Sequence, residues 1–426
     1  MTILRNAALV SATGVTRGPL HIVGDRLAAT TVGRAGEHEI DLPDHFVFPG
    51  LVNAHDHLQL NNIPPLSRGA PFPSSYAWAR ALQPHLATAA VAAARAVAVT
   101  SRYRQGGLKN LLSGATTVAH HDPWHAVLDE AAFPVNLLRS FGWCHSLGLA
   151  PAEGETTETQ GWASALARRT ERALRSLLPG AAPESRLGPY GPAAASSFAA
   201  TPPDRPWIIH LAEGTDAVAG GELAELRRLG CLAPNTVLIH AVGLGGDDVA
   251  AVLARGASVV WCPASNLALL GATLDPRSLH EAGRLAIGTD SRLSGSRDLL
   301  DELRVAAAHS DLAPVDLLRL ATTAASAVLR MPDVGGLAPG QRADLLIVRD
   351  TGADPYRALL ELRRADIRAV VRNGAPAVAD RDFAEWFEAS GVAPAAVTLD
   401  GRPKLLDGAL AGPEAIALEP GLELAA

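Results

Sequence analysis

The stretch Phe48-Pro-Gly-Leu-Val-Asn-Ala-His-Asp-His-Leu-Gln-Leu60 decides how the rest of the chain is read. An apolar run follows Pro49-Gly50 and ends in His55-Asp56-His57. Side chains two apart on a strand point to the same face. His55 and His57 are therefore expected to face one side together at a strand end, an arrangement that suits two imidazoles on one metal ion. An isolated His-x-His is common in loops, so the meaning of this pair depends on what the chain supplies elsewhere.

Outward from that stretch, residues 48–335 alternate short β-rich runs with longer helical ones. Strands are expected at 47–53, 115–119, 134–140, 185–190, 206–211, 236–241, 257–262 and 285–289. Helices are expected at 216–229, 246–255, 296–310 and 313–329. Eight strands with intervening helices are the count and order of a (β/α)8 TIM barrel in the α/β class. Residues 1–47 and 336–426 read instead as short strands with turns, and are expected to build one small composite β-sandwich.

Composition sets the bounds. The chain has 426 residues, is 48% hydrophobic and carries a net charge of −7. That length suits a large barrel with a satellite domain. Basic residues are dispersed and no basic patch is interleaved with aromatics, so no nucleic-acid partner is expected. No apolar run has membrane-spanning length, and no membrane partner is expected. The N-terminus reads as a strand rather than a signal peptide. Three cysteines, Cys144, Cys231 and Cys262, stand far apart, which fits a reducing cytoplasm better than a disulfide framework.

Polar residues recur where the apolar strands end, the rim on which barrel active sites are built. After His55 and His57 come His210 and Glu213 in HLAE, His240 in IHAVGL, and Asp290 in GTDS. Together with CPASNLAL (262–269) and GLAPGQRADLLIV (336–348), this ordered set resembles the amidohydrolase superfamily. The similarity is to the branch of cytosine deaminase, guanine deaminase and the triazine (chlorohydrolase-like) hydrolases, and it runs from Pro49 to Val348.

The resemblance implies the barrel and the flanking sandwich. It implies that His55, His57, His210 and Asp290 hold one divalent metal, that Glu213 is the proton shuttle, and that His240 binds or polarises the substrate. Imidazoles with one carboxylate suit zinc, with iron as the alternative. Such a metal yields hydroxide from water at neutral pH, and Asp290 can also accept a proton from that water. The expected reaction is hydrolysis of a C–N bond in a small, cyclic substrate, foremost deamination of an aminated heterocycle or amidine. Amide, lactam or cyclic-ureide hydrolysis and loss of another triazine-type leaving group are alternatives, and a catalytically silent binding barrel is a third. A homodimer is left open.

Three features depart from the family pattern. Asp56 stands where many relatives have threonine, and its side chain is expected to point away from the metal. No lysine ends the fourth strand candidate, which favours one metal over two. The second and third strands end in His120-His121-Asp122-Pro-Trp-His125 and in Arg139-Ser-Phe-Gly-Trp143-Cys-His145. His121, Trp143 and His145, with Asn62 from the loop after the first strand, are the candidate substrate contacts. Of His120 and His121, at most one is expected to enter the barrel mouth. Arg292 and Arg297 are weaker candidates for an anionic substrate group.

Overall fold

The computed structural model describes residues 1–30, 38–66, 69–148 and 193–425. The opening stretch is two strands rather than one at 47–53. His45–Pro49 pairs with Leu345–Arg349 and with Ala8–Ser11, while Leu51–Asp56 pairs in parallel with Ala115–His120. The chain changes sheets at Gly50, where a Cβ would lie 2.3 Å from Thr116 Oγ1. Only glycine fits so close a passage.

Two all-parallel sheets carry the site. One contains Leu51–Asp56, Ala115–His120 and Asn136–Leu137. The other contains Gly142–Cys144, Trp207–Leu211, Thr236–His240, Ser258–Trp261 and Leu285–Ile287. Their strands are buried almost throughout, which explains why they read as continuous apolar runs. The sheets meet where the amides of Thr289 and Asp290 donate to the His55 carbonyl at 3.0 and 3.1 Å. The expected third strand, 134–140, is only Asn136–Leu137. Leu138 N still donates to Val118 O, and by Gly142–Cys144 the chain pairs with Trp207–Leu211. The fourth candidate, 185–190, lies outside the described residues.

The helices Ala217–Arg228, Gly246–Ala254 and Leu299–Ala308 fall where periodicity places them. The run 313–329 is two helices, Pro314–Leu320 and Thr323–Val328. The break has a cause: the Ala321 carbonyl accepts from Val52 N at 2.7 Å, outside the helix.

Both ends of the chain meet in one nine-stranded sheet, in which His45–Pro49 lies between Ala8–Ser11 and Leu345–Arg349 and which extends to strands as late as Leu422–Leu424. A four-stranded sheet from residues 2–41 shares a core with it, bringing Leu4, Ile22 and Leu27 against Val47, Ile347 and Val371. The tail beyond 400 is ordered, with the strand Arg402–Asp407 and the helix Pro413–Leu418. No helix among the described residues is long and apolar enough to cross a membrane.

Candidate active site

Ligand atoms of His55, His57 and His210 lie within 4.8 Å of one another. His210 Nε2 is 3.3 Å from His55 Nε2, and Asp290 Oδ1 is 3.5 Å from His57 Nε2 and 3.8 Å from His55 Nε2. A tetrahedral ion at zinc–nitrogen distances of about 2.0–2.1 Å separates its donors by about 3.3 Å. The four side chains therefore fit a divalent metal in both spacing and donor chemistry.

Outer contacts aim these donors. His57 Nδ1 bonds Asp122 Oδ2 at 2.6 Å, and Gln59 donates to the same oxygen at 2.6 Å. His210 Nδ1 donates to the His145 carbonyl at 2.8 Å. Both rings thus present Nε2 to the centre. Asp290 Oδ2 accepts from Ser265 at 2.7 Å and Ser294 at 2.5 Å, which leaves Oδ1 for the histidines. Asp290, His240 and Ala212 all have left-handed backbones, with φ of 53°, 73° and 53°. Such strain in non-glycine residues concentrates at functional rims.

Burial drives the His55 and His210 rings well below the usual histidine range, so both are neutral and ready to donate lone pairs. Burial also disfavours a charged His57, but Asp122 outweighs it and lifts that ring to about 9. In turn, burial would raise Asp122, yet the His57 charge and hydrogen bond carry it below the usual carboxylate range. A metal must displace the His57 proton, so its affinity is expected to rise with pH. Asp122→Asn is expected to weaken metal binding about 10–100-fold. Chelator competition measures this, and an unchanged affinity removes Asp122 from the role of ligand anchor.

Glu213 Oε1 stands 3.6 Å from His240 Nε2. His240 Nδ1 donates to Asn266 Oδ1 at 2.8 Å, which turns Nε2 toward Glu213. Burial raises the Glu213 carboxyl above its usual range, only partly opposed by the His240 charge. Beneath this rim, Glu222 of the helix Ala217–Arg228 accepts from Ala212 N at 2.5 Å and from the Tyr76 hydroxyl. It ties down the backbone that carries Glu213. Burial pushes Glu222 to about 7.

Asp56 points away from the metal histidines, as expected. Its carboxylate accepts from Lys109 at 3.0 Å, Asn110 at 2.8 Å and Asn61 at 3.0 Å. His120 and His121 also diverge as expected: His120 packs on Tyr103, whereas His121 stacks 4.5 Å from His210.

A cleft opens over the centre, lined by His57, His145, His210, Glu213, His240 and Asp290 at its inner end. Of the candidate substrate contacts, His145 lines it. His121 and Trp143 are in edge contact with each other and do not line it. Asn62 is corrected: its amide donates to the Ala94 carbonyl at 2.9 Å and accepts from Arg102 at 3.2 Å, so it braces the loop. Arg292 and Arg297 are likewise engaged elsewhere, by Glu419 and Asp400 at 2.8 Å. The segment after the first strand is partly helical, and its helix Ser75–His85 brings Tyr76 and Trp78 to the cleft. Sequence reading did not assign roles to Ser265 and Asn266, although both stand in the CPASNLAL motif.

The family model for the amidohydrolase family matches residues 46–377. The chain belongs to this family. This amidohydrolase is 26% identical over 374 residues to the 8-oxoguanine deaminase of Pseudomonas aeruginosa, covering 76% of this chain and 80% of that protein. It is 33% identical over 162 residues to the 5-methylthioadenosine/S-adenosylhomocysteine deaminase of Nitratidesulfovibrio vulgaris, covering 34% of this chain and 37% of that one. The matched part spans 33% to 46% of the length of several such curated relatives. Among solved structures, the atrazine chlorohydrolase of Arthrobacter aurescens TC1 complexed with zinc is similar with a TM-score of 0.64. That match covers 88% of this chain and 95% of the other at 20% identity, a likeness of fold.

Proposed function

We propose that this amidohydrolase is a mononuclear metal-dependent hydrolase that deaminates a small aminated heterocycle or amidine. The observation that carries this reading is Glu213 beside His240, 3.6 Å apart, at the inner end of a cleft lined by His57, His210 and Asp290, with His55 converging on the same point. The deaminases among its relatives support the leaving group. We further read residues 48–335 as a closed (β/α)8 barrel, and residues 1–47 with 336–426 as the composite sandwich. Three buried free cysteines support a cytoplasmic setting.

His55, His57, His210 and Asp290 would hold the metal, zinc in preference to iron. When bound, such an ion lowers the pKa of water enough to supply a nucleophile at neutral pH. Glu213 takes a proton from the attacking water and gives it to the ring nitrogen next to the attacked carbon; a second proton, from the hydroxyl of the adduct, then passes to the departing amine. His240 Nε2 stabilises the oxygen that gains charge. Asp290 Oδ1 is the second proton acceptor, oriented by Ser265 and Ser294. His145 contacts the substrate from the opposite rim.

Two measurements test this. Protein loaded with zinc or iron to one ion per chain is assayed for ammonia release across aminopurines, aminopyrimidines, aminotriazines and cyclic amidines, with Glu213→Gln as the blank. Ammonia from the parent alone supports deamination. Its absence across the panel, with turnover of amides, lactams or ureides, moves the reaction to those bonds. The second test is the pH profile. Burial disfavours the Glu213 carboxylate, so ionisation needs a higher pH than usual. The acidic limb of kcat/KM is expected above pH ~4.5, the ordinary glutamate value. A limb at or below that value sinks the assignment of Glu213 as the base.

A further inference from the structure

The inner end of the cleft accounts for the reaction, but its outer wall has a different character. Leu60, Trp78, Ala79, Leu82, Leu269 and Leu293 line it. Leu60, Leu82 and Leu293 are themselves core residues, packed with Ile63, Leu86 and Val91, so this wall is fixed rather than adaptable. Tyr76 also faces the cleft, but its hydroxyl is engaged by Glu222 and by Gly148 N, which leaves the ring as its contribution. Every ionisable side chain lining the cleft, other than that phenol, lies at the metal end. Among the described residues no lysine or arginine lines it.

The two cations that follow Asp290 most closely in sequence are already neutralised. Arg292 makes two 2.8 Å bonds to Glu419, whose side chain is fully buried. Arg297 bonds both oxygens of Asp400, at 2.8 and 3.0 Å. A phosphate or carboxylate entering this cleft would give up its hydration against leucines, with no cation from these residues to replace it.

We infer that the substrate is an aminated heterocycle bearing an uncharged, apolar substituent on the side away from the reacting C–N bond, and that the Leu60–Trp78–Leu82–Leu269–Leu293 wall selects that substituent. This inference rests on the proposed deamination for the orientation of the ring. Burial of the substituent supplies binding energy remote from the chemistry.

The test is a matched ligand series on the zinc-loaded full chain. 6-Aminopurines and amino-1,3,5-triazines are prepared bare, with methyl, propyl or benzyl substituents, and with carboxymethyl or phosphate-bearing ones of similar size. Calorimetry gives Kd, and ammonia release is recorded in parallel. Affinity is expected to rise about fourfold per buried methylene, and the anionic members to bind at least about tenfold more weakly than apolar ones of equal size. Leu293→Asn is expected to flatten the slope. The series on the unaltered protein decides the matter should that variant not fold. A flat series, or preference for the anionic members, overturns the inference. A rising series without ammonia upholds the wall and rejects deamination. Ammonia with a flat series does the reverse. No binding by any member overturns both.

Discussion

Glu213→Gln is expected to lower kcat by about 10²–10⁴-fold while bound metal stays at the parent level. Glutamine keeps the shape of the side chain and removes its ability to hold a proton. Glu213 follows His210 by three residues, on a turn set by the left-handed Ala212, and its carboxylate faces His240 rather than the three histidines. The loss should therefore fall on turnover, with KM changed little. Metal analysis and steady-state kinetics on the same preparation separate the alternatives. Lost metal would make Glu213 a ligand, and retained turnover would hand proton transfer to Asp290.

Lys109→Met is expected to cost about 3–5 kcal/mol of stability, the usual consequence of stripping the partner from a buried charge. Lys109 and Asp56 are both fully buried and 3.0 Å apart. Lys109 also donates to Thr289 at 3.1 Å, next to Asp290, so the pair sits directly beneath the proposed metal site. Urea unfolding gives the number. Adding Asp56→Asn to Lys109→Met should restore part of the loss, because an amide is cheaper to leave without a counter-charge than a carboxylate. A loss under about 1 kcal/mol would mean that Asn53, Asn61 and Asn110 suffice for Asp56.

The proposed ligands could be picked out because each stands at the end of an apolar run, where a buried strand ends. His55, His57, His210 and Asp290 come together as their positions imply. The break in the opening stretch was not legible, because Pro49-Gly50 inside an apolar run reads as the start of a strand as easily as a passage between sheets. Lys109 was missed because a lysine on a helix ordinarily points to water. A signal existed: the chain has only two lysines, Lys109 and Lys404, among its 37 basic residues, and both are buried. Asn62 was misjudged because the loop after a barrel strand is read as substrate wall, whereas Arg102, buried beneath it, claims the amide. The links from Arg292 and Arg364 to Glu419 join residues up to 127 apart in sequence, and no local pattern announces them.

The pairing of His45–Pro49 with Leu345–Arg349 has a consequence for how the chain is made. His45–Pro49 leaves the ribosome with one of its two neighbours, Ala8–Ser11, already made and the other still unsynthesised. At about 5–20 residues per second, roughly 300 residues of delay leave that edge waiting for about 15–60 s. Phe46, Val47 and Phe48, all buried in the finished protein, are exposed for that interval. Nascent chains of this protein should therefore engage holding chaperones through their first fifty residues, and release should track the emergence of Leu345–Arg349 rather than completion of the metal site.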